Sequence, residues 1–192
     1  MRNAGKMLWF VLLVAVLGIR LGAQQSSTEK PASPPAMQAP QPGPEMQRLN
    51  FLVGDWTMDG EYLKSPMTGN GAKQTGWYKA HLGPGGFSVI ADFEADSTLD
   101  NEIGHEVLTW DPKKDAYTTV TVGNGFPGAI IGTAKWEGDN LVVQTEWGTG
   151  AATVHLRAVY SHIGEKTIQI EESFQKGDAP YQLIWKATAT KK

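Results

Sequence analysis

The sequence predicts an all-β domain: an antiparallel up-and-down β-barrel of about ten strands, closed by a short N-terminal helical turn. Three observations carry that expectation. Apolar and polar residues alternate with period two through most of residues 54–190, the spacing of a strand with one buried face. Clusters of Gly, Pro, Asn and Asp punctuate the alternation, and no long helical period interrupts it. Strands joined mostly by such tight turns pair in chain order, and closing the sheet removes the two edges an open sheet would expose. A two-layer sandwich is the rival arrangement, but sandwiches usually need longer crossovers.

The chain ahead of this domain reads as address and tether. Residues 1–23 have the parts of a secretory signal peptide: Arg2 and Lys6, the apolar run Met7 to Gly18, and a small residue at Ala23. A retained membrane anchor is the rival reading, but it needs about 20 apolar residues, and Arg20 follows the run closely. Residues 24–45 are rich in Pro, Gln, Ser and Ala and are expected to form a disordered, partly polyproline linker. The expectation is an exported protein, periplasmic or extracellular, with no stable membrane insertion once the signal is removed.

Composition narrows the chemistry. The chain has no cysteine, which excludes disulfides, thiol catalysis and thiolate metal sites. Cleavage after Ala23 would remove Arg2, Lys6 and Arg20 from the 17 basic residues, leaving 14 against 20 acidic ones. Nucleic acid is therefore a poor partner. The serines lie mostly in linker and loops and form no Gly-x-Ser-x-Gly elbow, so nucleophilic catalysis has no support.

The domain spans residues 46–192. Pro44, Glu45 and Met46 open the helical turn, whose apolar contacts come from Met46, Leu49, Phe51, Leu52 and Val53. Gly54 permits a sharp change of backbone direction, and Trp56 then points inward at the base of the first strand. Trp56, Met58 and Tyr62 share that strand's inner face. In the second strand, near Lys73–Leu82, the set Thr75, Trp77, Lys79 and His81 is assigned to one side, with Trp77 and His81 toward the lumen. Gly83 to Gly86 form a turn, and Phe87, Val89, Ala91 and Phe93 alternate with Ser88, Ile90, Asp92 and Glu94 in the third strand. Further strands are expected at Glu102–Trp110, Ala116–Val122, Ala129–Trp136, Leu141–Trp147, Ala152–Ile163, Lys166–Gln175 and Tyr181–Thr190.

Two motifs carry a family resemblance. Leu49-Asn50-Phe51-Leu52-Val53-Gly54-Asp55-Trp56 resembles the start of the DUF1579 family of exported bacterial proteins. Gly104-His105-Glu106-Val107-Leu108-Thr109-Trp110-Asp111-Pro112, followed by Lys113 to Tyr117, looks like that family's mid-chain hairpin. Such proteins resemble the lipocalin and nitrobindin barrels, whose Gly-x-Trp start matches Gly54 to Trp56. Lipocalins pack a basic residue of the last strand over that Trp, a place only Lys186 or Lys191 could take here. Haem-binding nitrobindins place a histidine near the chain end, whereas the last histidine here is His162, so no cofactor is expected.

Parity assigns Trp56, Met58, Tyr62, Trp77, Phe87, Val89, Phe93, Ile168, Ile170 and Phe174 to the lumen. Such an aromatic interior suits a small-molecule cavity, although side chains also fill narrow barrels outright. Glu172 has the parity of Ile170 and Phe174, which puts a carboxylate inside; it should find a partner in Arg157, Lys186, a Tyr hydroxyl or a ligand. His81 and His105 are the histidines assigned to cavity faces, whereas His155 reads as outward and His162 as part of a turn. No histidine pair has metal-ligand spacing. The leading expectation is a small apolar or amphipathic ligand in the lumen. The alternatives are an interaction protein of the cell envelope, or an enzyme pairing Glu172 with His81 or His105.

Overall fold

The computed structural model describes residues 39–148 and 153–192. The signal sequence and most of the linker expected over residues 1–45 lie outside the described residues. Helix α1 (Pro44–Gln47) and a 3-10 turn (Asn50–Leu52) lead into the strands. The first five are β1 (Gly54–Tyr62), β2 (Ala72–Leu82), β3 (Ser88–Ser97), β4 (Asn101–Asp111) and β5 (Ala116–Gly123). The second five are β6 (Ile130–Glu137), β7 (Asn140–Trp147), β8 (Val154–Ser161), β9 (Thr167–Lys176) and β10 (Gln182–Lys191). Every neighbouring pair is antiparallel, and β1 pairs with β10 to close the barrel. None of the helices among the described residues is long and apolar enough to cross a membrane.

The helical segment seals one end. Met46, Leu49 and Leu52 are buried there against Val89, Leu108, Tyr117 and Leu141. Glu45 is fixed by the Tyr117 hydroxyl, which donates to its backbone carbonyl at 2.7 Å. Beside this plug Trp56 is 2 % exposed, and its indole N–H donates to the Leu52 carbonyl at 2.9 Å. Of the two lysines available to cover Trp56, it is Lys191 that does so, its Nζ 5.3 Å from the ring centroid. Gly54 sits where this packing is tightest: its φ is +131°, and a Cβ there would lie 2.5 Å from Lys191 Cε.

Burial falls off away from the plug. Along β1 the inward residues run from buried Trp56 to part-accessible Met58 and Tyr62; along β9 they run from buried Ile168 and Ile170 to part-accessible Glu172 and Phe174. Along β7 they run from buried Leu141 and Val143 to exposed Trp147. The end opposite the helical segment carries no comparable plug among the described residues.

The structure corrects four lumen assignments, those of Trp77, His81, His105 and Phe87. Trp56 pairs with Tyr78 and Thr57 with Trp77, so Gln74, Tyr78 and Ala80 form the inner face of β2. Trp77 and His81 point outward; the Trp77 indole donates to Glu94 Oε2 at 3.0 Å on the outer wall. His105 also faces outward, exposed and paired with Asp92, while Gly104, Glu106 and Leu108 point in. Phe87 lies in the turn before β3 and is 40 % exposed.

Candidate functional site

The inner wall beyond the plug combines aromatic rings with acids. Phe93 pairs with Tyr78 on one side and Gly104 on the other. Gly104 makes room for the ring, since a Cβ there would lie 2.6 Å from Phe93 Cζ. Across the lumen Phe174 and Glu172 face in from β9, with Trp185 opposite Glu172 on β10. Thus Met58, Tyr62, Phe93, Glu172 and Phe174 lie on the lumen wall, and Trp56, Val89, Ile168 and Ile170 form its buried floor. The wall also holds residues that the parity reading passed over: Gln74, Tyr78, Glu102, Glu106, Tyr160 and Trp185. Alternation in β8 carries a signal for Tyr160, because Val154, Leu156, Ala158 and Tyr160 share one face. In β4 the signal is reversed, since Ile103 and Val107 make its outer face the more aliphatic.

A chain of hydrogen bonds stiffens one side of the lumen. The Trp185 indole donates to Gln74 Oε1 at 2.7 Å, Gln74 Nε2 donates to the Tyr62 hydroxyl at 3.0 Å, and that hydroxyl donates to Asp100 at 2.9 Å. The Tyr78 hydroxyl donates to Glu106 at 3.2 Å. Glu172 and the Tyr160 hydroxyl make no hydrogen bond among the described residues, yet their polar atoms are not sealed off. The enclosed side-chain polar atom left without a partner among those residues is Thr119 Oγ1, on the inner face of β5. Side chains that point inward from a closed wall and stay partly accessible border the lumen or its unplugged mouth.

Electrostatics sets the lumen apart from the outer wall. Burial, and secondarily the negative charge of Glu102, push Glu172 up to about 7. Burial raises Glu106 as well, against the Tyr78 hydrogen bond, and it raises Glu102 together with the charge of Asp100. The expected cationic partners are elsewhere: Arg157 pairs with Glu137 at 3.1 Å and Lys186 with Glu61 at 2.9 Å, both on the outer wall. There Glu61 is held at about 2 by hydrogen bonds from Lys73 and Lys186. His81 and His105 lie outside the barrel, so neither can act with Glu172. No group of three or more His, Asp or Glu side chains among the described residues is placed to hold a metal ion.

No family model matches the sequence, and no curated protein matches it. Among solved structures, the chain is similar to Rv2717c from M. tuberculosis, at 15 % identity and a TM-score of 0.53, over 79 % of this chain and 99 % of that one. It also aligns with an S-type phycobiliprotein lyase, CPES, from Guillardia theta, at 12 % identity and a TM-score of 0.49, over 78 % and 91 % of the two chains. The fold is a closed barrel of the lipocalin-like, calycin type.

Proposed function

We propose that this protein binds a small apolar or amphipathic molecule in the barrel lumen and does so outside the cytoplasm. The observation that carries the reading is the accessible inner wall. Tyr78, Phe93, Tyr160, Glu172 and Phe174 point inward from a closed sheet and still meet open space. Apolar walls with a few fixed polar groups are the usual make-up of a small-molecule site. Export, and membership of the DUF1579 family, rest on the N-terminal sequence and the two motifs; they supply the compartment for this reading.

Native mass spectrometry of the full chain, purified from its own host, tests it. The expected result is a bound mass that is lost on denaturation, with one saturable site per chain for an apolar fluorescent probe. A chain free of ligand that also fails to take the probe overturns the reading. A surface role has its own support: Ile90, Val107, Val120 and Ile131 stand side by side on the outer faces of β3 to β6. Ile131 is 63 % exposed and nearby Ile103 50 % exposed, so an aliphatic strip meets water there.

A further inference from the structure

We propose that the lumen ligand carries a positive charge: an alkyl or aryl ammonium whose cationic head sits between Glu172 on one wall and Glu106 and Glu102 on the other. This rests on the reading of the lumen as a ligand site and adds the ligand's charge to it. Strands β4 and β9 are diametrically placed, with four strands between them either way round the barrel. Their inward side chains therefore face one another. The Tyr78 hydroxyl donates to Glu106, and Tyr78 and Tyr160 both pack against the cluster that holds Ile170, two residues before Glu172 on the same face of β9, which brings the two walls together.

No cation of the described chain answers these acids. Arg157 and Lys186 are engaged outside, Lys191 lies over Trp56 at the floor, and Lys176 is an exposed rim residue. Thr119, 1 % exposed on the inner face of β5, lies opposite Leu108, two residues nearer the plug than Glu106, and its hydroxyl is enclosed there. An uncharged ligand would desolvate the carboxylates further without compensation, and an anion would add repulsion. An organic cation does neither, and the rings of Tyr78, Tyr160 and Trp185 offer it favourable faces. A bare metal ion fits poorly, because the acids do not gather into a ligand cluster.

The test is calorimetric titration of the full chain at pH 8 with octyltrimethylammonium and octanoate below their micelle concentrations and 1-octanol below its solubility limit. The cation should bind about tenfold tighter than the alcohol, and the carboxylate weaker than both. Glu172→Gln should remove most of that preference, read as the ratio of the cation's affinity to the alcohol's, and Glu106→Gln should reduce the ratio independently. Asp92→Asn, on the outer wall, should change nothing. The groups facing Glu172 are Glu102, Glu106 and the Tyr62, Tyr78 and Tyr160 hydroxyls, with Asp100 and Lys176 at the rim. Lowering the pH from 8 to 5.5 protonates Glu172, whose burial holds it at about 7, so cation affinity should fall in the parent and stay flatter in Glu172→Gln. Equal binding of the three octyl compounds overturns the charge assignment and leaves the lumen reading standing. An equal loss in Asp92→Asn also overturns it, by showing unspecific attraction. No binding by any of the three overturns both.

Discussion

Glu172 takes up a proton when the chain folds in the range between its unfolded and native titrations. Its ordinary value is near 4.3, and its native value is about 7. The native state binds the extra proton between those limits, so the group's contribution is fully present below pH ~4.3 and is lost as pH rises through about 7. Urea midpoints at pH 5 and pH 8 should show the decline, and Glu172→Gln should remove much of it while raising stability at pH 8. Thr119→Val should also stabilise, by on the order of 1 kcal/mol in urea or thermal unfolding, because it replaces a buried hydroxyl that has no partner. The inward carboxylate of Glu172 was legible, since Ile168, Ile170 and Phe174 flank it on one parity. Glu106 was not. Its strand shows Ile103, Val107 and His105 on the opposite face, and a rule that puts the more apolar side inside selects the wrong one.

The helical segment and the start of β1 behave as one element. Leu49 is fully enclosed at 0 % exposure, so Leu49→Ala should cost about 2–5 kcal/mol in denaturant unfolding. The alternation Phe87, Val89, Ala91, Phe93 identified β3 and its inner face correctly from Val89 onward, but Phe87 belongs to the turn, where Gly85 and Gly86 take positive φ. The second strand misled because Trp77 is its largest apolar residue, yet its indole is satisfied by Glu94 on the outer wall and its ring is covered by Lys79. Tyr78 and Gln74 are the less conspicuous choice by hydropathy. They are the inward pair because Trp56 fixes the register of β1 against β2.

At the level of the molecule, closure between β1 and β10 is what leaves the sheet without an edge. A chain ending at Ala179 lacks β10 and exposes the backbone of both β1 and β9; it should run as soluble oligomers or aggregates on size-exclusion chromatography. The ten-strand meander was readable because each turn carries its own local chemistry, such as Asp111 to Asp115 between β4 and β5. The character of the interior was less readable, since closure allows acids inside and aliphatic residues outside. The plug formed by Met46, Leu49 and Leu52 has a kinetic consequence. For a molecule held in the lumen as proposed, with one end stoppered, a newcomer has no way to push it out from behind, so the two must use the same passage in turn. Exchange is then purely dissociative. Mixing labelled complex with increasing excess of unlabelled competitor should give one departure rate at every competitor concentration, whereas a rate that climbs with competitor would mean a second passage through the wall.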